Sequence, residues 1–470
     1  TAFLETLTSL SNTLCFVIRI PDGATASDLT AIDGIYIAEG KFFHPFYRSN
    51  PPPEDIPPQQ PRIFEGLLPF VPLLPNHAAA AALQLLPPSV FNSLPGVNTL
   101  SLLLGLDITE AGLFEVTTPE NTPFGVPGLA LGSLTTKQAF EDAGDLQQIL
   151  EDVRIPQANQ LNNGEGSIIA IVDSGINPAH VPPQQRDGGW SEDGGDPWID
   201  SIGHGSMVGA IAAAAAPRAA IVSVKPGVLA DLPMSSIGTI RALDYLAGLA
   251  LDRGQPIIAN HAWGIFGVKN LILPCSIVFT RAVRLLDEEN LVMTSWAAGN
   301  NRDIAGDATI SGYCMVTTKW STSCGALTRN LRPQPYSSLG GQCYPFQPTV
   351  SAPTYGILPW GPGYADMGEQ GGATSACAPL VSAALAMMMA VYPDAPFKNL
   401  RAALRASASN AAVGLPGLPY NPATGAGLLQ ADQAVRAIPS APSDPSWLLE
   451  TLAPSSVARL GQEPERHTSE

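Results

Sequence analysis

Short apolar runs rich in β-branched residues alternate with helical runs over residues 167–300, and this alternation constrains the fold more than any other feature of the chain. "SIIAIVDSG" is an apolar run that ends at Asp-Ser-Gly, as a buried parallel strand does. "HGSMVGAIAAAAAP" predicts a small-residue helix stopped by Pro217, and "AAIVSVK" predicts a strand. "SSIGTIRALDYLAGLALDRG" has a Ser start, helical spacing and a Gly stop. "PIIANHAWG" reads as a strand, "SIVFTRAVRLLDEEN" as a helix and "LVMTSWAAGN" as a strand. "ATSACAPLVSAA" opens a further small-residue helix. The pattern predicts an α/β fold with a doubly wound, mostly parallel sheet covered on both faces.

Length and composition fit that reading. The 470 residues leave room for more than one domain, and 45% of them are hydrophobic, enough for a real core. The net charge of −17 argues against a nucleic-acid partner, because no surplus of Lys and Arg is present to displace counterions. No uninterrupted apolar run reaches the roughly 18–20 residues of a membrane span, so none is expected. Residues 1–145 read as an additional N-terminal α+β region. It holds strand candidates "TLCFVIRIP" and "GLFEVTTP", a Pro-rich linker or loop at 49–61 and an Ala/Leu-rich helix at 77–86. The main domain is expected over 146–438 and a tail over 439–470. The loop "RDGGWSEDGGDPWID" carries carboxylates without EF-hand spacing and reads as polar surface, so no metal site is assigned there. Six cysteines form no zinc pattern. One pair among Cys314, Cys324 and Cys343 is close enough to bridge, and reduced, buried thiols fit equally well.

The chemistry-bearing residues fall at strand ends and helix starts, where sites form in such sheets. Asp173 ends the first apolar strand, His204 opens the small-residue helix, and Ser375 opens the later one. A serine becomes a nucleophile when a histidine takes its proton and a carboxylate holds that histidine in the right tautomer. Asn300 ends the strand "LVMTSWAA" after Gly299, where a side-chain amide can donate to an oxyanion. Each residue alone has an ordinary reading: a turn, a helix cap, a second turn, an N-cap. Their order and surroundings together carry the signal.

Those surroundings resemble the subtilisin-like serine peptidases. "IAIVDSGINPAH" is similar to the family's aspartate motif and gives Asp173, with His180 structural. "GHGSMVGAIA" resembles its histidine motif and gives His204. "ATSACAP" resembles its serine motif and gives Ser375, and "AAGN" gives Asn300 as oxyanion donor. The resemblance covers about residues 150–438. It departs at Met207 and Ser206, at Ala373 where the family has Gly, and at Trp263 where a Leu is common, which predicts a reshaped substrate groove. His261 is expected to be a strand residue near the groove and not a base. Cys377, about 200° around the helix from Ser375, reads as a packing thiol facing away from His204.

The resemblance implies a serine endopeptidase working through an acyl-enzyme. The substrate would bind as an extended strand between Ala262, Trp263, Gly264 and Ala297, Ala298, Gly299. It also implies that residues 1–145 are either an inhibitory propeptide or a permanent accessory domain. A catalytically silent scaffold acting as a binding module is the alternative, although the triad and Asn300 are all present. An acid-acting relative with Glu for His and Asp for Asn is disfavoured by His204 and Asn300. No cofactor is required, and structural calcium, common among relatives, has no clear motif here. A monomer is expected, in a secreted or extracytoplasmic setting. A cytoplasmic one stays open because no basic region followed by an apolar stretch marks the N-terminus.

Overall fold

The computed structural model describes residues 144–438, apart from 193, 227–235, 265–276, 301, 303–318, 341–346, 361–362, 367, 369–370 and 415–419, together with five strands further upstream. Upstream, β1 (Thr13–Ile20), β2 (Tyr36–Glu39), β3 (Arg62–Pro69) and β4 (Asp107–Leu113) form an antiparallel sheet in the order β2-β3-β1-β4. The predicted strand at "TLCFVIRIP" is β1. Of the one at "GLFEVTTP", β4 covers the first two residues and β5 (Thr118–Pro119) the last two, and residues 114–117 lie outside the described ones. The Pro-rich stretch before β3, the helix at 77–86 and the tail from 439 lie outside the described residues.

The main sheet contains β6 (Ile168–Val172), β7 (Arg186–Ser191), β8 (Ala220–Lys225), β9 (Ile257–His261), β11 (Val292–Ala297), β12 (Ser321–Leu327) and β13 (Val350–Pro353). Trp263–Gly264 form a two-residue β10 just after β9. The order is β13-β12-β11-β9-β6-β8-β7, and every neighbouring pair is parallel. β7 corrects the sequence reading: the first six residues of the carboxylate-rich segment read as a surface loop form an edge strand on β8. Its burial is partial, which is why its polar sequence does not look like a strand. A hairpin of β14 (Ile357–Trp360) and β15 (Gly363–Asp366) follows the sheet.

Helices cover both faces. α1 (Gly144–Asp152) and α2 (Ile155–Asn159) precede β6, α3 (His204–Ala215) follows β7, and α4 (Ser236–Arg253) and α5 (Ile277–Glu288) flank β9. α6 (Ala373–Val391), α7 (Phe397–Ser407) and α8 (Ala431–Ala437) complete the domain. Alternation along β6 assigns the faces. Ile169 and Ile171 pack with Met207 and Val208 of α3 and with Leu380 and Val381 of α6. Ile168, Ala170 and Val172 pack with Leu243 and Leu246 of α4 and Val283 of α5. α6 is long and apolar enough to cross a membrane, although Thr374, Ser375 and Ser382 interrupt its apolar run, and it is a buried core helix.

On the α4/α5 face, His261 is fully buried. Its ring stacks on Trp296 at 4.1 Å and meets Trp263 edge-on at 5.5 Å. Burial pushes its pKa down to about 3. Between that value and the ordinary 6.5 the unfolded chain holds a proton that the folded chain refuses, so stability present above pH 6.5 is lost as pH falls. At pH 4.5 the loss is about 3 kcal/mol. His261→Phe keeps the stacking without the titration. Denaturant unfolding in a Ser375→Ala background is expected to show that His261→Phe loses about 3 kcal/mol less than its parent between pH 7 and pH 4.5. Parallel pH profiles would remove this account of His261.

Candidate active site

The strand order reverses between β6 and β9: β8 and β7 are added on one side of β6, and β9 to β13 on the other. Open α/β sheets place their sites in the crevice at such a reversal, beyond the carboxyl ends of the strands. Register fixes what lies there. Val172 is opposite His261, and His261 is opposite Trp296. The next residue along each strand direction is Asp173, Ala262 and Ala297, respectively.

His204 is the first residue of α3, and its Nδ1 lies 2.8 Å from Asp173 Oδ1, with both side chains at 0% exposure. An ionised carboxylate only accepts, so Nδ1 carries the proton and Nε2 of the neutral ring keeps its lone pair. The same Asp173 oxygen accepts from the Ser174 N–H at 2.7 Å. Gly205 makes the approach of helix to strand feasible. A Cβ there would fall 2.0 Å from the Gly175 carbonyl oxygen and 3.1 Å from Asp173 Cβ.

Ser375 lies in the first turn of α6 and is also fully buried. Its Oγ donates to the Ala262 carbonyl at 2.9 Å, which places it on the strand beside Asp173. The starts of α6 and α3 lie together: a Cβ on Gly372 would come within 2.7 Å of Met207 Sδ. Asn300 is anchored by Thr374, whose N–H and Oγ1 donate to Asn300 Oδ1 at 3.0 and 2.7 Å. Thr374 Oγ1 in turn accepts from Gly299 N–H at 3.2 Å. The amide orientation is thereby set, with Nδ2 as its donor side. Thr374, Ser174 and Asp200 are the residues of this region that sequence reasoning passed over. Thr374 was visible only as the neighbour of Ser375, and nothing in composition singles out the other two.

The strand segments expected to bind substrate are also here. Ala262, Ala297 and Ala298 are buried, and the Ala298 N–H is taken by the Cys324 carbonyl at 3.0 Å. Trp263, where the sequence leads one to expect a reshaped groove, turns its side chain into the packing. The residue is 2% exposed and its ring packs on Trp296 at 5.2 Å, so its backbone is what it offers the site. Cys377 points its thiol at the Ala352 carbonyl of β13 at 3.3 Å. Cys324 and Cys377 are free, so no bridge includes Cys324; the other cysteines lie outside the described side chains. Among the described residues, no group of three or more His, Cys, Asp or Glu side chains is placed to hold a metal ion.

Ala373, the departure from the family pattern near Ser375, has φ of +54°. This left-handed conformation costs an L-residue roughly 1–2 kcal/mol and glycine almost nothing. Part of the gain from a glycine is offset by its greater unfolded-state freedom. Ala373→Gly in a Ser375→Ala background is expected to stabilise the protein by about 0.5–1 kcal/mol, read by calorimetry. A fall in melting temperature would contradict the strain.

The sequence pattern of the subtilase family matches residues 164–428, more than half of the chain. Among solved structures, a cold-adapted subtilisin-like serine proteinase is 22% identical with a TM-score of 0.42, over 53% of this chain and 84% of that one. MycP1 with its N-terminal propeptide removed is 17% identical with a TM-score of 0.45, over 60% of this chain and 94% of that one. No curated protein sequence matches. The chain belongs to the subtilase family and is a subtilisin-like serine peptidase.

Proposed function

We propose that the protein is an endopeptidase in which Ser375 is the nucleophile, His204 the general base and acid, Asp173 its orienting carboxylate and Asn300 an oxyanion donor. The observation that carries this reading is the solvent-free Asp173–His204 bond of 2.8 Å, one strand away from the Ser375 hydroxyl. Ser375 Oγ turns from the Ala262 carbonyl to His204 Nε2, gives up its proton there and attacks the peptide carbonyl carbon. Asn300 Nδ2 and the Ser375 N–H stabilise the oxyanion, a contribution of roughly 3–4 kcal/mol per donor. His204 passes the proton to the departing amine. A water then repeats the attack on the acyl-enzyme and restores the Ser375 hydroxyl. The substrate adds as an extended strand beside β10 and the end of β11, where backbone bonds give affinity with little sequence choice.

The N-terminal region is proposed to hold this site inactive. β5 is paired antiparallel with β10, Pro119 opposite Trp263 and Thr118 opposite Gly264. That is the strand position a substrate needs, and Asp173, His204 and Ser375 are all shut off from solvent. The expected boundary between residues 145 and 146 falls inside α1. α1 is bound to the body: Arg329 donates to Asp145 at 2.8 Å, the Tyr355 hydroxyl donates to Asp152 at 3.3 Å, and Ile149 and Leu150 lie in the core. The peptidase unit is therefore taken to begin at Gly144.

A fluorophosphonate probe and a denatured protein substrate test both parts. Self-processed wild type is expected to take up the probe, and Ser375→Ala or His204→Ala is expected to lose at least about a thousandfold in kcat. Full activity of Ser375→Ala would end the reading. Processing is expected to leave α1 attached, with new N-termini before Gly144, and to be absent from Ser375→Ala. Full activity of the unprocessed chain would remove the inhibitory role.

A further inference from the structure

We propose that Asp200 is a positioning residue for the His204–Asp173 pair, a role that rests on the peptidase reading above. Its carboxylate accepts five hydrogen bonds. Oδ1 takes the Ser174 hydroxyl at 2.9 Å, the Ile202 N–H at 3.0 Å and the Gly203 N–H at 2.8 Å. Oδ2 takes the Ser206 N–H at 2.8 Å and the Ser206 hydroxyl at 2.6 Å. These donors come from both sides of the catalytic junction. Ser174 follows Asp173, and Ser206 is two residues beyond His204.

The arrangement answers a local deficit. The N-cap of α3 is Gly203, with φ of +95° and no side chain to satisfy the first-turn N–H groups. Asp200 supplies the missing cap from outside the helix, by taking the Ser206 N–H. Ser174 Oγ supplies the second, accepting the Gly205 N–H at 3.0 Å while donating its own proton to Asp200. A closed circuit results: Asp200 holds Ser174, Ser174 holds Gly205, and Asp200 holds Ser206. The Ser206 hydroxyl extends it by accepting the Asn177 N–H at 2.8 Å. The circuit ties the start of the helix carrying His204 to the end of the strand carrying Asp173. A carboxylate is better suited to this place than an amide. All five partners donate, and the NH₂ of an asparagine would face donors on one side.

The position of His204 against Ser375 is where such a device acts. Displacements of about 1 Å at reacting groups cost on the order of a hundredfold in rate. Loosening the circuit lets the start of α3 drift without removing any group that reacts.

The test uses the full chain, with kcat expressed per active site titrated by a fluorophosphonate. Asp200→Asn is expected to lower kcat per titrated site at least about tenfold, with KM within about twofold of wild type. A merely structural role would lower the titratable fraction and the melting temperature and leave kcat per titrated site unchanged. That result would overturn the proposal. Asp196→Asn, which makes the same charge change in the same loop and keeps an acceptor for the Trp198 N–H, is expected to match wild type. Should Asp200→Asn fail to fold, Ser174→Ala cuts the circuit more gently. It is expected to lower kcat per titrated site about threefold, and combined with Asp200→Asn in any folded preparation it should add less than its single effect. Wild-type kcat in titrated Ser174→Ala would overturn the proposal equally. Failure of the peptidase reading shows itself elsewhere, as a wild type that takes up no probe.

Discussion

The bond between Asp173 and His204 joins the end of a buried strand to the first residue of a helix, and the site is built around that junction. A carboxylate removed from water is costly unless its oxygens are satisfied. Here Asp173 Oδ1 receives both the Ser174 N–H and the imidazole N–H, while Oδ2 is buried without a hydrogen-bond partner. The bond therefore holds the imidazole tautomer and offsets part of the cost of burying the carboxylate. The parallel register of β6, β9 and β11 sets Ala262 and Ala297 beside that junction. Ser375, through its bond to Ala262, and the segments at Ala262 and Ala297 thus share one origin with Asp173 and His204.

The small side chains of α3 and α6 have a matching purpose. Gly205 lets α3 touch the Asp173 strand, and Gly372 lets α6 close onto Met207. Both helices are core elements first; buried residues run along nearly all of each. A site mounted on the central packing of the domain is rigid, and its geometry is sensitive to core changes. Ala373 and Asp200 mark the two places where that rigidity is managed by unusual means. Ala373 carries a left-handed backbone into the helix that bears Ser375, and Asp200 replaces a cap that Gly203 cannot provide.

Much of this was legible in the chain. β6, α3, β8, α4, β9, α5, β11 and α6 stand where the apolar runs and stop signals put them, because buried strands and small-residue helices leave strong local patterns. β7 was not legible, since a half-exposed edge strand carries little apolar signal. The direction of Trp263 was not legible either. β10 is two residues long, too short for alternation to assign a face, and the stack with His261 and Trp296 decides it.

The sequence by itself determined the order of the buried strands and helices, the family and the residue types available at each strand end, since these depend on local periodicity and on short contiguous motifs. Only the tertiary structure decided the partnerships. That Asp173 meets His204, that Ser375 rests on Ala262, that Thr374 holds Asn300 and that Thr118–Pro119 lie on Trp263–Gly264 are contacts between segments far apart in the chain. Strand order and register set such contacts, and no local pattern encodes them. Asp200 shows the difference most clearly: in the sequence it is one acid among many in a polar segment, and in the fold it gathers five donors from both sides of the Asp173–His204 pair.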